Sequence, residues 1–161
     1  MNSNSMKSLI LSAVTALLMV GCASMGGGDS GANILATGSH SNIKDQMYQD
    51  IHNQADFDAM WSKAFANQSG APDKPVVDFS KDMVLAIFIG EQPTGGFRIR
   101  ISKVDTSGAD IEVTFDGIQP GQNCPHVQVS KSEPFLIATI PASTKSVNFN
   151  PQSERAPACG G

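Results

Sequence analysis

The chain has 161 residues, with 11 basic and 15 acidic side chains and a formal net charge of −4 at pH 7. That balance lacks the basic footprint on which nucleic-acid binders depend. Once an N-terminal leader is set aside, the remaining length suits one ordinary domain.

Lys7 supplies a positive charge and Leu9 to Val20 are apolar or small, the charged n-region and short h-region of an export signal. The run is shorter than the roughly 20 apolar residues that a membrane-spanning helix needs. The segment Leu18-Met19-Val20-Gly21-Cys22 resembles the lipobox of bacterial lipoproteins, in which a small residue precedes the cysteine that is lipidated and becomes the new N-terminus; Met19 stands where leucine is usual. The resemblance implies a signal peptide over residues 1–21 and acyl chains, palmitate among them, on Cys22. Each buried methylene contributes about 0.8 kcal/mol, and two or more chains hold a protein stably where one does not. Ala23 resembles the sorting patterns of Gram-negative lipoproteins sent to the outer membrane, so the expected location is the cell envelope, lipid-anchored at that membrane. The alternative is an ordinary cleaved leader with an incidental cysteine. Loss of Lys7 with the leader leaves ten basic and fifteen acidic residues, a net charge near −5.

Residues 22–33 include Gly26-Gly27-Gly28 and Asp29-Ser30-Gly31, a small, polar stretch suited to a flexible tether. A single domain is expected from 34 to 161. Met47 to Ile51 is a short strand candidate. Phe57, Met60, Trp61, Ala64 and Phe65 then recur at helical spacing and predict an amphipathic helix over about Gln54 to Ala66. Asn53 is its expected N-cap, Asp56 falls in the first turn, and Gly70 and Pro72 lie beyond its end. A Trp and two Phe on one stripe read as packing against a sheet.

Met83 to Ile89 is uninterruptedly apolar, as a central strand buried on both faces is. Phe97, Ile99 and Ile101 alternate with Arg98, Arg100 and Ser102, the pattern of a strand with one wet face. Between the two lies Gly90-Glu91-Gln92-Pro93-Thr94-Gly95-Gly96-Phe97, where proline presets a turn position and adjacent glycines permit positive φ; the plainest reading is a hairpin connection. Ile111, Val113 and Phe115 repeat the alternation after a turn at Ser107-Gly108 or Ala109-Asp110. Shorter strand candidates follow at His126 to Val129, Pro134 to Ile140 and Ser146 to Phe149. Short strands with Gly and Pro turns and one helix predict a mainly β, α+β domain: an antiparallel β-sandwich-like or curled sheet with one amphipathic helix packed on it.

With Cys22 lipidated, Cys124 and Cys159 remain as a pair in an oxidising compartment, and a disulfide between them is expected. It would tie down Pro151 to Gly161, a tail otherwise too polar and Pro-rich to stay ordered. The competing reading makes Cys124 a nucleophile activated by His126, but no thiolate-stabilising environment or orienting third group accompanies the two.

Val77-Asp78-Phe79-Ser80, Met83-Val84, Gly90, Pro93-Thr94-Gly95-Gly96-Phe97 and Ile99-Arg100-Ile101, followed by Pro120-Gly121 and Ser132-Glu133-Pro134-Phe135 before Leu136-Ile137, resemble the C-terminal domain of PrcB-type protease-complex subunits. The likeness runs from about Gln46 to Pro141, and the Thr-Gly-Gly-aromatic turn is its most distinctive part; Phe97 stands where tyrosine is commoner. What it implies is a non-catalytic, envelope-associated domain, of a family named for a member that supports assembly or stability of a protease complex, with an envelope protein as expected partner and a protease as one candidate. The fold is named better than the task.

Three functions are weighed. The first is a binding or assembly module that docks through Pro93, Thr94, Gly95, Gly96 and Phe97 or through a neighbouring strand edge. The second is protease inhibition, since the same five residues faintly resemble the Pro-Thr-Thr-Gly-Tyr loop of chagasin-type cysteine-protease inhibitors. The third is an enzyme, the reading with least behind it. His40, His52 and His126 lack the paired spacing of zinc sites, no Gly-x-Ser-x-Gly or phosphate loop occurs, and Asp78, Asp82 and Glu91 are the remaining candidates for an acid pair. No metal, cofactor or nucleic acid is expected.

Overall fold

The computed structural model describes residues 30–124, 127 and 130–159. The leader, Cys22, most of the tether, His126 and Val129 therefore lie outside the described residues. Among the described residues seven strands and one helix follow in chain order: β1 (Asn33–Gly38), β2 (Met47–Ile51), α1 (Gln54–Phe65), β3 (Asp82–Phe88), β4 (Arg98–Asp105), β5 (Ile111–Gln119), β6 (Phe135–Pro141) and β7 (Val147–Arg155). They build two sheets, one of order β1-β6-β3-β2 and one of order β4-β5-β7.

The apolar run of β3 follows from its place in the middle layer. Val84, Ala86 and Phe88 point toward the helix, while Met83, Leu85 and Ile87 point toward the second sheet, so residues 83–88 are all fully buried. Strand β6 divides in the same way, with Phe135 and Ile137 on the helix side and Leu136, Ala138 and Ile140 on the other. The two strands pair antiparallel along their whole length, from Asp82 opposite Pro141 to Phe88 opposite Phe135. A strand covered on both faces has no wet side to alternate with, which is why its sequence reads as continuous.

Helix α1 begins where expected. The side chain of Asn53 accepts a hydrogen bond from the Asp56 backbone N–H at 2.9 Å, satisfying one of the free donors of the first turn. Asp56 in the first turn and Lys63 in the last complement the helix dipole. Phe57, Met60, Trp61, Ala64 and Phe65 are buried against the first sheet, with Phe65 edge-on to Phe135 at 4.8 Å between ring centroids.

The second sheet carries one buried and one solvated face. Ile99, Ile101, Ile111, Val113 and Phe115 face the first sheet. On the outer face Arg100 bridges Asp116 and Glu154 at 2.9 and 2.6 Å, while Glu112 accepts from Asn148 and Asn150. Strand β4 pairs antiparallel with β5 through the turn expected within residues 107–110.

Four expectations are corrected. The connection between β3 and β4 is not a hairpin, because the two strands belong to different sheets and Gly90 to Phe97 crosses from one to the other. The arrangement is not wholly antiparallel, since β7 runs parallel to β5; the chain leaves the second sheet to form β6 in the first and returns in the same sense, as a parallel pair requires. The final strand does not stop at Phe149 but continues through Pro151 to Arg155, which proline tolerates because β7 is an edge strand. Finally, the end of the expected tether belongs to the domain: the Ser30 carbonyl accepts from Val104 N–H at 2.9 Å, Ala32 packs against the sandwich core and Asn33 opens β1.

Candidate functional site

The crossover from Gly90 to Phe97 is fixed at both ends by groups distant in sequence. Gly90 has φ +77°, and a Cβ there would come within 2.8 Å of the Lys44 carbonyl oxygen. That same carbonyl accepts from the Glu91 N–H at 2.9 Å. Gln92 and Ser132 form an isolated antiparallel bridge, with Gln92 N–H donating to Ser132 O at 2.7 Å and Ser132 N–H returning to Gln92 O at 3.1 Å. The Gln92 side-chain amide donates to Ile89 O at 3.0 Å. Glu91 and Lys131 form an ion pair beside this bridge, which lowers the glutamate pKa and raises that of the lysine.

Beyond the bridge, Pro93 is exposed, Gly95 is buried and Phe97 is half-buried. Gly96 holds φ +81°, with Pro120 close enough that an added Cβ would sit 3.0 Å from the Pro120 Cβ. Among the described residues only four glycines and two asparagines take positive φ, and two of those glycines are in this crossover. The turn is thus a locked outcrop rather than a slack connection.

Phe97 and Gln92 border a cleft of about 180 Å³ that opens between the sheets. Tyr48 of β2 and Phe115 of β5 contribute aromatic faces, while Gln46, Gln119 and Gln152 add amides. Among the described residues that line it, none is charged. The Tyr48 ring meets Phe115 edge-on at 5.0 Å and Phe149 at 5.7 Å. Its hydroxyl is buried and finds no hydrogen-bond partner among the described residues, and burial raises its pKa.

The other sequence-predicted residues are dispersed. Cys124 and Cys159 are joined in a disulfide with Cα atoms 5.0 Å apart, so the Cys124 sulfur is not free to act as a nucleophile. Asp78 caps the turn ahead of β3: it accepts from the Ser80 hydroxyl at 2.5 Å, pairs with Lys81 at 3.0 Å and accepts from the Ser80 N–H at 3.1 Å, and these contacts pull its carboxyl down to about 2. Asp82 opens β3, whereas Glu91 lies past the strand's other end and pairs with Lys131, so Glu91 is not brought to Asp78 or Asp82 as an acid pair. His52 lies 3.0 Å from Asp50, and His40 lies 3.8 Å from Glu133; among the described residues no group of three metal-ligating side chains occurs.

The sequence singles out the turn, and Gln92 and Ser132 fall in segments already quoted without a role assigned to them, but nothing in it pointed to Tyr48 or Gln152 as site residues. Tyr48 and Gln152 come from separate segments and share no short motif with the turn. The one available signal was that Tyr48 is the chain's single tyrosine.

Residues 83–141 match the family model described as PrcB C-terminal. The match covers the later part of the stretch, 46–141, over which the sequence resembles that family. No curated protein and no solved structure matches the chain. The matched segment holds β3, the locked crossover with its Thr-Gly-Gly-Phe turn, β4, β5 and β6, so the similarity to the PrcB C-terminal family falls on these elements.

Proposed function

We propose that the chain is a non-catalytic module of the bacterial envelope, held at the outer membrane by lipid on Cys22, that docks on a protein partner through the crossover at Pro93 to Phe97. The PrcB C-terminal match supports a protease-complex-associated subunit. The observation that carries the docking surface is the way Gln92 and Ser132 hold the turn in place while leaving Pro93 exposed. A contact surface already rigid before binding gives up little conformational entropy when it docks.

Two measurements test this. Cys22→Ser releases the protein from the membrane fraction and removes the mass added by lipid; retention at unchanged mass contradicts the anchor. Cross-linking capture from the native envelope with the tagged chain returns a consistent protein partner, and the yield drops for Thr94→Arg. No consistent partner, or equal capture by the variant, contradicts docking through the crossover. Inhibition of a papain-like protease by the purified chain at micromolar concentration favours the inhibitor reading of the same loop instead.

A further inference from the structure

Resting on the reading of the chain as a protein-binding module, we propose that the cleft beside Phe97 is a pocket for one uncharged side chain of an extended peptide segment laid along β2. At about 180 Å³ the cleft falls below the roughly 300–1,000 Å³ of sites that enclose a small molecule, and suits a single side chain of a larger partner. Tyr48, Phe97 and Phe115 supply aromatic faces and Gln46, Gln92 and Gln152 supply amides. An ionised group entering this lining exchanges water for surroundings without a counter-charge, an unfavourable transfer. A neutral side chain meets no such penalty.

The lining also has unused polar capacity. The side chains of Gln46 and Gln152 make no hydrogen bond among the described residues, and Gln92 uses only its amide nitrogen, leaving its oxygen as an acceptor. Gln119, by contrast, is engaged at both ends, donating to Ser153 and accepting from Arg155.

The extended form of the occupant follows from the edge next to the cleft. Among the described residues β2 pairs only with β3, so its outer backbone groups are open to an added strand. The other edge bordering the cleft is β7, where Pro151 offers no N–H and blunts strand addition. A peptide strand on β2 points alternate side chains to one face, and one of them then enters beside Tyr48.

The probes are five-residue peptides, Thr-Val-Xaa-Val-Thr with blocked ends, Xaa being Tyr, Leu, Gln, Glu or Lys, titrated into the full chain and followed by amide and side-chain NMR. The Tyr, Leu and Gln peptides shift the signals of Gln46, Tyr48, Gln92 and Gln152 and bind at least tenfold more tightly than the Glu and Lys peptides. Ser153→Trp, which fills the cleft from β7, removes that binding, and Gln46→Glu gains the Lys peptide. Equal response to all five peptides overturns the proposal, as do shifts mapping elsewhere or N-acetylglucosamine displacing the peptides from these residues. So does a concentration-dependent shift of the same signals without peptide, the mark of a second copy of the chain. Capture of an envelope partner with no peptide binding overturns the cleft alone, whereas peptide binding with no captured partner overturns the docking reading alone.

Discussion

The Ser132 hydroxyl, fully buried, donates a hydrogen bond to the Thr94 carbonyl oxygen at 2.7 Å. Through this contact the segment leading into β6 holds the Thr-Gly-Gly-Phe turn from below, 38 residues away in sequence. Ser132→Ala leaves the carbonyl without that donor, and the expected loss is about 1–2 kcal/mol. Urea unfolding monitored by Trp61 fluorescence checks it; an unchanged midpoint shows that the turn does not depend on this bond.

The glycines of the crossover separate by environment. Gly96→Ala places a side chain at φ +81°, which costs about 1–2 kcal/mol for the left-handed backbone. Gly90→Ala carries the same backbone cost and also sets its Cβ 2.8 Å from the Lys44 carbonyl oxygen, backbone that cannot swing aside. The expected order of melting temperatures is wild type, then Gly96→Ala, then Gly90→Ala. Equal melting of all three contradicts the positive-φ account.

The disulfide closes a loop between residues 35 apart and joins the segment after β5 to the tail after β7. In the chain-entropy model that closure is worth about 4 kcal/mol. The double variant Cys124→Ser, Cys159→Ser is expected to lose stability of that order, and the tail amides after Arg155 to exchange faster with solvent. Undiminished protection of those amides shows that the hydrogen bonds of Ala156 to Gln119 and Cys159 to Gln122 suffice alone.

Asp78 gives a pH signature. Its folded pKa, about 2, is depressed below the ordinary 3.8 by hydrogen bonds from Ser80 and Lys81. A depressed carboxylate contributes stability that is fully present above the unfolded pKa and is lost as pH falls through the folded value. The urea midpoint of Asp78→Asn is therefore expected to lie below wild type at pH 7, the gap narrowing from about pH 4 and closing near pH 2. A gap of equal size at both ends of that range contradicts the assignment.

The elements legible in the sequence are those decided by local periodicity or by complete burial. The stripe from Phe57 to Phe65 with Asn53 before it marked α1, and the run from Met83 marked β3 because both of its faces are covered. Strand β1 was not legible: it is a short edge strand in which Ile34 stays 44% exposed, so burial imprinted no alternation on it. The reach of β7 past Pro151 was hidden because proline in isolation signals a break, and only the edge position shows that no ladder hydrogen bond is lost. The crossover was read as a hairpin because nothing within Gly90 to Phe97 states which sheet the next strand joins. The cleft is least legible of all, since Tyr48, Gln92, Phe115 and Gln152 come together only when both sheets are stacked.

Docking through the crossover is tested most directly by placing a photoreactive amino acid at Pro93, and separately at Val76, which is 99% exposed in the segment before β3. Both probes are irradiated in intact cells, and the chain is then recovered and its adducts resolved by mass. The account predicts one protein adduct of defined mass from position 93 and none of that mass from position 76. The same adduct from both positions, or none from position 93, would contradict it.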